Sequence, residues 1–177
     1  AYSLAVFRDC LHHTRRYEYP YTILNVPRDV NTVLDVGGGS SFSYYMAERV
    51  NSVDVLDIDQ KVGDELELIK NHTRKFRNIF FKLGDARDIP YPDNSFDCTT
   101  CISVLEHMDN KNILVAFSEM MRVTKPNGVV IITLDVQLTK SDTLDLDDMG
   151  VLCNRLKIPM GAINAHTLFS SIGDKPY

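Results

Sequence analysis

"VLDVGGGSSFSYYMAERV", residues 33–50, decides the fold: an apolar run of strand type meets three consecutive glycines and then a stretch of helical length. Glycine at a strand-to-helix turn either adopts φ > 0 or lets another group approach the backbone. On either side the same alternation repeats. "TVLDV" (32–36), "VDVLD" (53–57), "NIFFKL" (78–83), "FDCTTCI" (96–102) and "GVVIITLDV" (128–136) read as strands. Residues 41–50, 60–76 and 110–123 read as helices, with "KPNG" (125–128) as a turn. Such βαβ alternation predicts an α/β fold, a doubly wound, mostly parallel sheet with helices on both faces.

The flanks yield to the same patterning. Leu4, Phe7 and Leu11 predict a leading amphipathic helix over residues 1–18, ended by "YEYPY" at Pro20. "LDLDDMGVLCNRLK" (144–157) predicts an acid-led helix, and "GAINAHTLFSSI" (161–172) two short strands. No repeat or low-complexity linker demands a boundary. The expectation is one domain over 1–177, with a helix and lid at 1–30, a binding core at 31–136 and a C-terminal part at 137–177.

In an open α/β sheet, ligands settle beyond the carboxyl ends of the strands, where strand order reverses. The glycine turn comes after the first strand, at such a point. Asp57 closes the second strand 20 residues beyond Gly37, a spacing suited to accepting hydrogen bonds from ribose hydroxyls. Asp85 lies just beyond the third strand. A dinucleotide loop reads G-x-G-x-x-G, but here Phe42 occupies the third glycine position. Asp35 would repel a pyrophosphate and suits a cationic amino group, which points away from a nicotinamide dinucleotide.

These residues resemble the Rossmann-like class I S-adenosylmethionine-dependent methyltransferases. "VLDVGGGSS" is similar to their first motif, "VLDID" to the ribose-binding strand end, and "GDARDIPYPDNSFD" to the adenine loop. "FDCTTCISVLEHM" is similar to their fourth strand with the start of the next helix, and "MMRVTKPNGVVIIT" to a helix, turn and fifth strand. The resemblance covers residues 30–135, with five motifs in order. It implies S-adenosyl-L-methionine as cofactor. Gly37, Gly38 and Gly39 would bring the backbone against its methionine part, with Asp35 near the amino group. Asp57 would hold the ribose, Ile58 would pack on the adenine, Asp85 and the Ala86 amide would bind the adenine edge, and Cys101 would offer a backbone carbonyl. Two departures stand out: Ser41 replaces a glycine common in the family, and the tail after residue 136 is short for the last two strands.

"SVLEHM" resembles the "ExxEH" site of ubiquinone-biosynthesis O-methyltransferases, but Ser103 replaces the first glutamate, leaving Glu106 and His107 with too few ligands for a divalent ion. His107 is the candidate general base, with packing or hydrogen bonding as its plain alternative. His12, His13, His72 and His166 have weaker claims. Tyr17, Tyr19 and Tyr21 are either acceptor-pocket walls or rings that staple the leading helix to the sheet. Asp54 and Asp59 read as solvated or capping carboxylates, and Arg74, Lys75 and Arg77 as a solvated helix end.

Composition bounds the rest. With 44% hydrophobic residues in 177, one ordinary core is within reach, and no run approaches the eighteen apolar residues of a membrane span. The absence of a signal-like apolar region near the N-terminus leads us to expect a cytoplasmic protein. A net charge of -5 argues against a nucleic-acid partner. Cys10, Cys98, Cys101 and Cys153 lack metal-site spacing and read as reduced thiols. The expected acceptor is a small molecule, a sugar or glycan precursor. The alternatives are a non-catalytic binding or regulatory subunit of the same fold, or an RNA or protein methyltransferase, the last lacking an Asn/Asp-Pro-Pro-Tyr motif where this chain has "CISV". Oligomeric state is not encoded in any of these signals.

Overall fold

The computed structural model describes residues 15–39, 41–73 and 75–134. Within them lie α1 (Arg15–Asn25), β1 (Thr32–Val36), α2 (Ser41–Ala47), β2 (Ser52–Asp57), α3 (Gln60–Thr73), β3 (Ile79–Leu83), β4 (Phe96–Ile102), a 3-10 turn (Leu105–His107), α4 (Asn110–Val123) and β5 (Thr124–Thr133). The expected helices and strands after residue 136, the start of the leading helix, Cys10, Cys153, Arg74 and three of the five histidines lie outside the described residues.

The strands form one sheet in the order β3-β2-β1-β4-β5, and every pairing is parallel. The order reverses between β1 and β4. That is the switch point expected from the alternation, and it places the glycine turn at its carboxyl edge.

Period-two alternation sorts the strands' side chains onto two faces. Val33, Val53, Val55, Ile79, Cys98, Ile102 and Ile131 form one core with Tyr19 of α1, Phe42 and Met46 of α2 and Leu66 of α3. Leu34, Val36, Leu56 and Cys101 alternate to the opposite face and are also buried. On α4, Ile113, Ala116, Met120 and Val123 form a stripe at helical spacing that packs against β4 and β5. Burying each of the larger side chains contributes roughly 1.5–3 kcal/mol. Because both faces of the sheet are covered, the strands read as nearly continuous apolar runs.

Two local expectations are corrected. The leading helix does not end at Pro20: α1 runs through it to Asn25, and the Val26 amide still reaches Thr22 O at 3.0 Å. Proline removes one hydrogen bond from a helix interior, but buried Glu18, Tyr19 and Thr22 hold this segment from either side of the break. The "KPNG" turn, in turn, lies within the span of β5. Thr124 pairs with Phe96 and Val129 with Cys98, so the residues between them bulge out of the ladder, with Asn127 at φ 68°.

Candidate functional site

The glycine turn is closed by the protein itself. Gly37 has φ 68° and Gly39 φ 103°, and the Gly37 amide donates to Leu56 O at 2.7 Å. A Cβ on Gly37 would stand 2.3 Å from Val104 Cγ2, one on Gly38 2.1 Å from Asp35 Oδ2, and one on Gly39 2.3 Å from Val62 Cγ1. Backbone conformation and packing against the chain's own side chains therefore already require the three glycines, without any ligand.

Asp35 lies beneath this turn and is 2% exposed. Ser43 Oγ donates to its Oδ2 at 2.5 Å and Thr100 Oγ1 to its Oδ1 at 2.9 Å, while the Gly39 amide donates to Ser43 Oγ at 3.1 Å. Burial pushes Asp35 up to about 6, against the lowering effect of these donors and of Arg15. Thr100 reaches it because β1 and β4 are neighbours in register, Asp35 opposite Thr100. Asp35 thus braces the turn from within, on the strand end where the resemblance expects the cofactor's amino group.

Along the same edge, β2 ends in Asp57 and β3 in Leu83, paired in register. Asp57 Oδ1 accepts from the Asp59 amide at 2.8 Å, and Oδ2 makes no hydrogen bond among the described residues. Ile58 is 76% exposed and Leu83 52%, so two bare apolar side chains flank the strand ends beside an available carboxylate oxygen. The Gly84 amide donates to Asp57 O at 2.9 Å, which ties the two strand ends together just before Asp85. Asp85 accepts the Arg87 guanidinium through Nε (2.9 Å to Oδ1) and Nη2 (2.5 Å to Oδ2), and this partner holds its carboxyl below the usual range. Ala86 is buried, and Cys101 sits fully buried in register with Val36. Burial raises both Cys98, to about 12, and Cys101, so neither thiol ionises at neutral pH.

The other expected carboxylates have structural occupations. Asp59 caps α3 by accepting from the Lys61 amide at 3.0 Å, and Asp54 accepts from Tyr91 Oη at 2.8 Å.

At the carboxyl ends of β4 and β5 the structure assembles a polar group that sequence reasoning missed. Buried Glu18 of α1 accepts from Ser103 Oγ, from Thr133 Oγ1 at 2.9 Å and from Arg15 Nη1 at 2.9 Å. Arg15 also donates to Ile102 O at 3.2 Å, and Ser103 takes φ 50°. This cluster docks α1 on the sheet edge. The signal available was a lone charged residue among aromatics in "YEYPY". Of the tyrosines, Tyr19 is buried with its ring centroid 6.2 Å from that of Phe42, a staple, whereas Tyr17 and Tyr21 are each 56% exposed. On the 3-10 turn beyond β4, Glu106 is buried and His107 exposed. Among the described residues, no group of three or more His, Cys, Asp or Glu side chains could hold a metal ion. Nor is any described helix long and apolar enough to cross a membrane.

Comparison with known proteins places this edge in context. Residues 34–132 match the family model described as a methyltransferase domain. The ubiquinone/menaquinone biosynthesis C-methyltransferase of Pseudomonas putida is 35% identical over 112 residues, 59% of this chain and 42% of that protein. The chain thus spans less than half the length of this curated relative. Among solved structures, a [4+2]-cyclase, SpnF, superimposes with TM-score 0.67 at 20% identity, covering 77% of this chain and 54% of that one. A SAM-dependent methyltransferase of Aquifex aeolicus does so with TM-score 0.62 at 18% identity, covering 78% of each. At these identities the two structures speak for the fold alone.

Proposed function

The chain belongs to the family of methyltransferase domains, and on that premise we propose that it transfers a methyl group from S-adenosylmethionine to a small-molecule acceptor. One observation carries this reading. At the carboxyl edge of β1–β3 the glycine turn, the Asp57 carboxylate with its available Oδ2, exposed Ile58 and Leu83, and Asp85 with Ala86 lie in consecutive strand ends. The residues fit the cofactor: an acceptor oxygen for ribose hydroxyls, two bare apolar side chains for a base, and a carboxylate beside an amide for the base's edge.

When bound, the cofactor supplies an electrophilic methyl on a sulfonium centre. The protein's part is to hold the nucleoside, align the acceptor atom and exclude water. Asp57 binds the ribose, Ile58 packs on the adenine, and Asp85 accepts from the adenine amino group while the Ala86 amide donates to the ring. Gly37, Gly38 and Gly39 present backbone to the methionine part. Asp35 acts on that turn from below. Cys101 contributes its carbonyl at the end of β4.

The Pseudomonas relative is named for C-methylation in quinone biosynthesis, which supports an aromatic ring as acceptor; the glycan precursor expected from the sequence gains no support from it. Methylation at carbon or hydroxyl oxygen releases a proton, and His107, exposed just past β4, is the group suited to take it. The alternative is a module of the same fold that holds the nucleoside without turnover, since Asp57, Ile58, Asp85 and Ala86 are placed to bind and none of them performs a chemical step. The deciding experiment incubates the chain with methyl-labelled S-adenosylmethionine and a panel of quinols, phenols and sugar nucleotides. Label in a ring compound supports the reading. Calorimetric binding of S-adenosylhomocysteine with no label in any acceptor favours the binding module.

A further inference from the structure

The loop after β3 owes its shape to a residue on α4. Arg122, on the last turn of α4, donates through Nη2 to Ile89 O at 2.9 Å and through Nη1 to Tyr91 O at 2.9 Å. The same guanidinium holds Asp93 Oδ1 at 2.8 Å and both oxygens of Glu119 at 2.7 Å. Glu119 in turn accepts the Ile89 amide at 2.9 Å. One ion pair thereby grips both the N–H and the C=O of Ile89, whose side chain is almost fully buried. At the other end of the segment, Gly84 is tied to Asp57 O, and between these anchors the Asp88 amide closes a turn on Asp85 O at 3.0 Å. Asp85 and Ala86 are thus suspended in a short span fixed at both ends.

We propose that Arg122 is a positioning residue for base recognition: with Glu119 it pins Ile89 so that the Asp85 carboxylate and Ala86 amide stand in register for the donor and acceptor edge of an adenine. The inference rests on the cofactor reading proposed for this site. A bidentate guanidinium suits this task, since its planar fork holds several acceptors at once in fixed directions. Without it Ile89 keeps its amide bond to Glu119 and its buried side chain but loses the grip on its own carbonyl and on Tyr91 O, so the span is held less closely than an adenine edge requires, both contacts being needed within a few tenths of an ångström.

The test compares binding of S-adenosylhomocysteine with that of S-inosylhomocysteine by calorimetry. Hypoxanthine reverses both edge groups, presenting an acceptor at position 6 and a donor at position 1, so a fixed edge rejects it. Wild type is expected to prefer the adenine compound by about a hundredfold. In Arg122→Met the preference falls to about tenfold or less, with the loss falling on the adenine compound. Arg122→Lys, which keeps the charge but cannot span the same acceptors, falls between them and serves if Arg122→Met does not fold. A variant that is merely less stable would unfold at lower denaturant yet keep the wild-type ratio, and that ratio in either folded variant overturns the proposal. Wild type binding both compounds equally also overturns it. Wild type binding neither removes the cofactor reading itself.

Discussion

Gly37 and Val104 are in such close contact that a Cβ on the glycine would stand 2.3 Å from Val104 Cγ2. The loop after β4 thus closes over the turn after β1, and the two strands' carboxyl ends act as one unit. Gly37→Ala is expected to lose about 2 kcal/mol or more, from the left-handed φ and from the clash together. In a Val104→Ala background the clash disappears while the backbone penalty remains, so the double variant should recover part of the loss. Urea unfolding of the four proteins measures this. Strict additivity would show that the contact carries no energy.

Asp35 makes stability depend on pH in an unusual direction. Its folded value of about 6 lies above the ordinary 3.8, so the protonated form favours folding. That stability is fully present below about pH 4 and is lost as pH rises through 6, by about 3 kcal/mol in total. Asp35→Asn removes the titration. Relative to the variant, wild type should lose about that amount of unfolding free energy between pH 4 and 7. Parallel pH profiles for both would show that the carboxylate does not titrate in this window.

Asp57→Ala should weaken S-adenosylhomocysteine binding by about 1–3 kcal/mol, because ribose hydroxyls lose their acceptor. Among the described residues the side chain bonds only the nearby Asp59 amide, so thermal stability should change little. Calorimetry paired with thermal melts separates the two effects. Unchanged affinity would move the ribose elsewhere.

His107→Ala should lower turnover about a hundredfold or more while leaving cofactor affinity intact, since among the described residues the exposed imidazole makes no hydrogen bond to the turns that form the nucleoside edge. Steady-state rates over a pH series decide it. Wild-type rates in the variant would reduce the histidine to a surface residue.

What the sequence determined by itself was local and periodic. The five strands, the order of elements and the glycine turn at the switch point were legible because side-chain alternation and turn residues report on immediate neighbours along the chain. Asp57 and Asp85 were legible for the same reason: each stands at or just past the end of a readable strand. Tertiary structure decided who stands beside whom. Thr100 braces Asp35 across 65 residues, Ser103 and Thr133 reach Glu18 across 85 and 115, and Arg122 holds Ile89 across 33. Hydroxyls and charges carry no period that marks their partners; only parallel crossovers, which return each strand beside a distant one, bring them together. For the same reason a helix was able to run through Pro20. Local propensity argued for a stop, but Glu18, Tyr19 and Thr22, buried on either side of the break, outweighed one missing hydrogen bond.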